Sequence, residues 1–246
     1  YNMAQAYKEM DDTPNEVLFF EKAVAAKPKD MDAIQSLAEA LYYRAGQRQR
    51  SYLYQDIVEG KAGAEAYLDV GLLALRDGYH MNAQQQFNIG ARVAGREDKP
   101  ELQAGMLALK AAAKGKRNED LVEEATTDMA PILEANPDNG TVLYAAGVHA
   151  LTRGDVESAI ANFLTVIEKE PRDSRAVLDL AAVYLSRDEA PAALGLYTAY
   201  MERNPRDRVV QRLRDELRIR LGAENVPDAA GPGRQAVPSA PTPDTP

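Results

Sequence analysis

The feature that most constrains the fold is a pattern that returns every 34 residues in the second half of the chain. An alanine, an aromatic residue and a proline recur at this interval, first as Ala159, Phe163 and Pro171 and then as Ala193, Tyr197 and Pro205. A related set lies one period upstream, at Ala125, Met129 and Pro137. A fixed period of this length indicates a repeat array, in which each unit buries its apolar face against the next.

Each period predicts two helices joined by a tight turn. In the stretch 140–173, small and apolar residues lie three and four positions apart and so share one helix face in each half: Leu143, Ala146, Gly147 and Ala150, then Ala159, Phe163 and Val166. Gly154 interrupts the helical pattern, and Asp155 is the expected N-cap of the second helix. Pro171 ends the unit, because proline disfavours helical geometry at the residue before it.

This pattern resembles the tetratricopeptide repeat (TPR) family, in which Leu-Gly or Ala and then Tyr mark helix A, while Ala, Phe and Pro mark helix B. The resemblance implies an all-α fold, a right-handed TPR solenoid of stacked helical hairpins with a C-terminal capping helix. We expect six TPR-like units, the first truncated, then the capping helix at 208–222 and a disordered Pro/Ala-rich tail at 223–246. The six units are 1–30, 31–63, 64–105, 106–139, 140–173 and 174–207.

Three stretches depart from the pattern. Arg50 occupies a helix B position where alanine is expected. The unit 64–105 is longer than the others, and we expect its surplus in a long link around "GREDKPE". Near the N-terminus, Thr13 and Glu16 have the spacing of a capping box, in which the two residues cap each other's backbone N–H groups. The chain begins at Tyr1 rather than at Met, so we expect further residues upstream.

The composition argues against catalysis and against nucleic-acid binding. The chain has no cysteine, which excludes disulfides and thiolate metal sites, and its net charge of −9 disfavours contact with phosphates. Its two histidines, His80 and His149, lie two units apart, and neither has a second ligand or a catalytic partner at a suitable spacing. We therefore expect no catalytic, cofactor or metal site and no enzyme activity.

The resemblance also implies where a partner binds. In TPR proteins helix A lines the concave wall of the superhelix, and a few positions of each unit usually point into that groove. Carried onto this chain, they give Gln35, Tyr42, Leu68, Leu72, Leu75, Lys110, Lys114, Arg117, Tyr144, Val148, Leu151, Leu178 and Leu185. This set predicts two apolar stretches around one basic patch, with anchoring pockets at Leu72, Tyr144 and Val148.

Such a groove predicts a non-enzymatic protein–protein interaction scaffold. Its expected partner is a protein that offers an apolar peptide or helix segment with an acidic residue near Lys110 and Lys114. Three alternatives stay open: burial of these residues by the chain's own packing, a structural or assembly subunit of a larger, membrane-attached bacterial complex, and an accessory domain of an enzyme. Two compartments are compatible with the sequence, the bacterial cytoplasm and the periplasm. Because no apolar run is long enough to cross a bilayer, any membrane contact is expected from upstream residues or from a partner.

Overall fold

The computed structural model describes residues 1–222, and the secondary structure in this range is entirely helical. A π-helical turn, Ala40–Arg44, continues the third helix, and a 3-10 turn, Glu119–Leu121, precedes the eighth. The predicted tail, 223–246, lies outside the described residues. The helices are α1 (Asn2–Glu9), α2 (Thr13–Ala26), α3 (Met31–Glu39), α4 (Arg48–Val58), α5 (Ala64–Arg76), α6 (His80–Arg96), α7 (Pro100–Arg117), α8 (Val122–Ala135), α9 (Gly140–Thr152), α10 (Val156–Lys169), α11 (Ser174–Ser186), α12 (Ala190–Arg203) and α13 (Arg208–Arg220).

The described residues divide into two compact units, the first from Tyr1 to Glu170 and the second beginning at Pro171. In the first unit consecutive helices pack as pairs, and the pairs contact one another through α2 and α5, through α6 and α7, and through α7 and α9. In the second unit α11 packs on α12, and α12 packs on α13. The predicted all-α arrangement of helical hairpins is confirmed. The handedness of a solenoid and the capping role of α13 stay predictions.

The turn between α9 and α10 forms as the sequence predicts. Gly154 has a φ of +74°, a left-handed conformation that residues with a Cβ rarely adopt. Asp155 caps α10, because its carboxylate accepts a hydrogen bond from Ser158 N at 3.1 Å. The helix then ends at Lys169, ahead of Pro171.

A glycine packed against an aromatic ring brings the two helices of a hairpin close together at two places. In the α9–α10 hairpin, a Cβ at Gly147 would lie 2.6 Å from Cε1 of Phe163, which is fully buried. In the α5–α6 hairpin, a Cβ at Gly71 would lie 2.5 Å from Cε1 of Phe87. A side chain at either glycine would overlap the ring, so the close approach depends on the missing Cβ. The same contact therefore recurs in two hairpins.

The long link expected after the third hairpin is not formed. α6 continues to Arg96 and α7 begins at Pro100, so only residues 97–99 separate them. The surplus residues instead lengthen the two helices, to 17 and 18 residues. Pro100 lies in the first turn of α7, where a missing N–H removes no hydrogen bond. The assignment of the helix pairs to the six sequence units stays a prediction.

The capping box predicted at the start of α2 is wrong. The N-cap is Asp12 rather than Thr13, and its carboxylate accepts a hydrogen bond from Asn15 N at 3.2 Å. Glu16 is only 1% exposed, and its Oε2 lies 2.5 Å from Nε of Arg44 at the end of the π-helical turn. Glu16 therefore ties α2 to the segment that follows α3.

Arg50, which departs from the repeat pattern, is the centre of a partly buried ionic cluster. Its guanidinium lies 2.5 Å from Oε1 of Glu21 and 3.1 Å from both carboxylate oxygens of Asp69. The buried Tyr54 also donates its hydroxyl proton to Asp69, and Arg76 reaches Oε2 of Glu21 at 2.8 Å. Burial and the nearby carboxylate of Asp69 raise the pKa of the Tyr54 hydroxyl well above its usual value. The cluster joins α2, α4 and α5, so Arg50 has a structural role in the first unit.

Candidate partner-binding surface

Two of the predicted anchors lie inside the protein. Tyr144 and Val148 of α9 are only 7% and 4% exposed, and the ring centroid of Tyr144 lies 5.9 Å from that of Phe163. The prediction that these two residues form accessible anchoring pockets is therefore wrong. α9 contains no Asp, Glu, Lys or Arg, and a helix that is apolar all round is typical of a protein interior. Leu151, at the end of the same helix, is half-buried.

α5 leaves two of its predicted leucines partly open to solvent. Leu68 and Leu72 are four residues apart, so they share one face of the helix, and both are half-buried. Leu75, the third predicted residue, is buried. The apolar stretch predicted on this helix is therefore confined to Leu68 and Leu72.

The basic patch of α7 is partly neutralised within the chain. Lys114 donates a hydrogen bond to Asp128 at 2.8 Å and another to Glu124, and both acceptors lie on α8. These two hydrogen bonds raise the pKa of the Lys114 ammonium group. Arg117 is exposed and donates to the uncharged Gln84 Oε1 at 3.4 Å. The carboxylate expected beside Lys114 is thus supplied by the protein itself.

Two further residues of α7 belong to the same face. Lys110 is half-buried and forms no ion pair with any residue that the structure describes. Leu107 is 36% exposed and precedes Lys110 by one helical turn. The sequence analysis missed Leu107, although its spacing of three and seven residues from Lys110 and Lys114 is the signal of a shared helix face.

Aromatic side chains gather where α3 passes into the π-helical turn. On α3 itself, the exposed Gln35 donates a hydrogen bond to Glu39 Oε1 at 3.2 Å. Tyr42, in the turn, is half-buried, and its ring centroid lies 4.8 Å from that of Tyr43 and 6.1 Å from that of Tyr52 on α4. Tyr42, Tyr43 and Tyr52 are called the tyrosine cluster below.

The second unit carries two of the predicted residues on α11. Leu178 and Leu185 are both half-buried, and their spacing of seven residues places them on one helix face. Contact between these two leucines and a partner stays a prediction.

Neither histidine joins a metal or catalytic set within the described residues. The buried His149 has its Nε2 2.8 Å from Oγ1 of Thr126, which donates its own proton to the carbonyl oxygen of Val122. This network assigns the imidazole proton to Nε2. Burial lowers the pKa of His149, and the charge of Arg153 lowers it further. Over residues 1–222, no group of three His, Asp or Glu side chains is placed to hold a metal ion.

The comparison with protein families bears on the segment that contains the Gly147–Phe163 contact and the Asp155 cap. A tetratricopeptide repeat family model matches residues 144–208 of the chain. The resemblance seen in the sequence is confirmed for this segment, which spans the α9–α10 and α11–α12 hairpins.

Two solved structures are similar to the chain at a low level. One is the TPR2AB-domain:pHSP90 complex of yeast Sti1, with 15% sequence identity, 90% of this chain and 96% of that chain covered, and a TM-score of 0.37. The other is the P58(IPK) TPR domain, with 14% identity, 92% of this chain and 66% of that chain covered, and a TM-score of 0.35. No curated protein sequence matches the chain. Among the described residues, every helix is too short or too polar to span a membrane.

Proposed function

We propose that this protein is a non-enzymatic scaffold that binds a segment of a partner protein on the helix A side of its first unit. The side chains that we assign to this binding surface come from the π-helical turn, α5 and α7. They form the helix A surface, which consists of Tyr42, Leu68, Leu72, Leu107 and Lys110. The observation that carries the proposal is that each of them keeps part of its area in solvent, while the opposite faces of α5 and α7 are buried.

The apolar part of this surface favours a partner segment with apolar side chains. α5 and α7 both pack on α6 and also touch each other, so Leu107 belongs to a helix near the one that carries Leu68 and Leu72. Leu107 is 36% exposed, and Leu68 and Leu72 are half-buried, so closing the remaining exposure of each leucine stabilises a complex by about 0.5–1 kcal/mol. The three leucines therefore supply part of the binding free energy, and the other contacts of the partner segment supply the remainder.

The charges of α7 indicate where an acidic residue of the partner can bind. Lys114 is neutralised by Glu124 and Asp128, so a partner carboxylate would gain little there. Lys110 has no such neighbour among the described residues. An acidic residue of the partner therefore fits best beside Lys110, next to the leucines.

The proposal is tested by affinity capture from cells of the source organism, followed by mass spectrometry. The double variant Leu68→Gln/Leu72→Gln of the full chain should lose the proteins that the wild type captures, because two apolar contacts become polar. The matched control is Leu164→Gln, which changes an exposed leucine on the helix B side, in α10. Far-UV circular dichroism should show the same helix content in all three proteins. Unchanged capture by the double variant would exclude the helix A surface as the binding site.

A further inference from the structure

The tyrosine cluster is an aromatic surface that the fold leaves open. Tyr43 is 79% exposed, the highest value among the large apolar side chains of the described residues, and Tyr52 is 49% exposed. The ring of Tyr42 is close to both, at centroid distances of 4.8 Å from Tyr43 and 6.1 Å from Tyr52, so the three rings belong to one cluster. Tyrosine and arginine are the residue types most enriched among the anchors of protein contacts. An open aromatic surface of this kind therefore marks a contact site.

The backbone beneath the tyrosine cluster is held in place by specific hydrogen bonds. Ala45 N donates to Ala40 O at 2.9 Å, a bond across five residues that widens the last turn of the helix. The buried Ser51 donates from its Oγ to Ala38 O at 2.8 Å, which fastens α4 and its tyrosine to α3. Single π-helical turns of this kind occur frequently at functional sites. The rings are thus carried by an ordered support, which limits the entropy lost on binding.

Arg48 adds an available positive charge to the tyrosine cluster. Its guanidinium carbon lies 5.4 Å from the ring centroid of Tyr42. Its neighbours Arg44 and Arg50 both contact buried glutamates, whereas Arg48 is exposed and forms no ion pair with any described residue. A carboxylate of a bound segment would therefore find Arg48 free beside the aromatic rings.

We infer that the tyrosine cluster and Arg48 bind a segment of a partner protein that is rich in proline, adopts the polyproline II conformation and carries a carboxylate. Polyproline II has no internal hydrogen bonds, so its carbonyl oxygens accept hydrogen bonds from tyrosine hydroxyls while its proline rings pack on the aromatic faces. One turn of polyproline II rises about 9 Å, so a segment of a few residues is long enough to contact more than one ring of the cluster. The inference rests on the proposed function, because Tyr42 belongs to the helix A surface.

An amphipathic helix matches this part of the surface less well. Its backbone carbonyls are already bonded within the helix, so the tyrosine hydroxyls would face its apolar side chains without acceptors. A proline-rich segment offers these acceptors at low entropic cost, because its conformation is already restricted before binding. The hydroxyl groups therefore favour polyproline II over a helix.

The sequence of this chain contains a segment of the required chemistry. Residues 236–246, AVPSAPTPDTP, hold two P-x-x-P spacings, 238–241 and 243–246, and one acidic side chain, that of Asp244. A synthetic peptide of this sequence with an amidated C-terminus, in which Asp244 carries the one carboxylate, is therefore a suitable probe. The acceptor is the full chain with its own four prolines in this segment replaced by alanine, so that its own copy does not compete.

Fluorescence anisotropy of the labelled peptide measures the binding. We expect saturable binding to the acceptor and no binding of a peptide whose four prolines are alanine. Tyr43→Ala/Tyr52→Ala in the acceptor should weaken binding at least tenfold, because both open rings are lost. The matched control is Tyr79→Ala, which removes a tyrosine that is 43% exposed near the start of α6 and should leave binding unchanged. Arg48→Gln should weaken binding by up to about fivefold, as for the loss of an exposed ion pair. An Asp244→Asn peptide should bind the Arg48→Gln acceptor and the acceptor with Arg48 equally well.

Three results would overturn the inference: no binding of the probe, equal binding of the proline-free peptide, or full affinity in Tyr43→Ala/Tyr52→Ala. Circular dichroism of each variant shows that the fold is retained, since these side chains are exposed. The proposed function is judged separately. If the probe fails to bind while Leu68→Gln/Leu72→Gln still loses its partners, the scaffold proposal stands and only the polyproline inference falls.

Discussion

Replacement of Gly147 by alanine tests the packing on which the hairpins depend. The new methyl group would lie 2.6 Å from Cε1, 2.9 Å from Cδ1 and 3.0 Å from Cζ of Phe163. Phe163 is fully buried, and its ring also packs against the buried ring of Tyr144. A rigid ring enclosed in this way cannot turn aside as the end of a flexible side chain would.

Two opposing effects set the size of the change. Overpacking of a well-packed core costs about 1–3 kcal/mol, whereas alanine in place of glycine in a helix interior gains about 1 kcal/mol. Because Gly147→Ala brings three ring atoms of Phe163 to 3.0 Å or closer, we expect a cost in the upper half of the overpacking range. The net result should be a loss of about 1–2 kcal/mol in the free energy of unfolding.

Urea denaturation, followed by far-UV circular dichroism, measures this loss. The same substitution should also be made in a Phe163→Leu background, where the smaller side chain leaves room for the methyl group. There Gly147→Ala should stabilise the protein by up to about 1 kcal/mol. Gly195→Ala in α12 is the matched control, because no atom lies within 4 Å of its expected Cβ. Gly195→Ala should also raise the free energy of unfolding by about 1 kcal/mol.

The reversal of sign between the two backgrounds is the decisive result. If Gly147→Ala changes the free energy of unfolding equally with Phe163 and with Leu at that position, the glycine and the ring are not in contact. The hairpin geometry described for α9 and α10 would then be incorrect.

Two further predictions concern buried charge. Arg50→Leu leaves Glu21 without its closest cation and should lower the free energy of unfolding, measured by urea denaturation, by about 3 kcal/mol. The control Arg92→Leu, at an exposed position, should change the free energy of unfolding by less than about 0.5 kcal/mol. Equal losses in the two variants would contradict the ionic cluster. Because burial lowers the pKa of His149, the unfolded chain takes up the proton first as the pH falls below about 6.5, and the free energy of unfolding should fall with it. Thermal denaturation at neutral and mildly acidic pH should show a smaller loss in His149→Gln than in the wild type, and an identical loss in the two proteins would refute this role of His149.

The sequence predicts the α9–α10 hairpin closely because the signals there are local. Asp155 caps the helix that begins at the next residue, and Gly154 and Pro171 act on the backbone where they stand. The repeat pattern also marked Gly147 and Phe163 as residues on the apolar faces of the two helices, whereas their contact is seen only in the structure. Local chemistry and periodicity together were sufficient for the helical hairpin.

Contacts between distant segments escaped the sequence analysis for a physical reason. The carboxylates that contact Arg50 lie 29 and 19 residues away, on α2 and α5, so the repeat alignment records Arg50 only as a missing alanine. Glu16 fits a local capping pattern, but its ion pair with Arg44 in the folded protein takes precedence. Neither partner can be inferred before the helices are packed.

The candidate surface was predicted only in part, because a positional rule gives the face of a helix but not what covers that face. It selected Leu68 and Leu72, which lie at partly open positions, and it also selected Tyr144 and Val148, which lie on a helix that is buried all round. The absence of charged residues in α9 was the signal that distinguishes the two cases. Tyr43 was missed because the assignment of groove positions assumes the regular spacing of an α-helix, and the π-helical turn departs from that spacing.

The central claim, that partners dock on the helix A surface, is tested most directly by site-specific photocrosslinking of the full chain in cells of its source organism. A photoreactive phenylalanine analogue replaces either Leu72 on the helix A surface or Leu164 on α10. We predict that position 72 crosslinks a defined set of proteins and that position 164 does not. Crosslinking of the same proteins from both positions, or of none from position 72, would contradict the account.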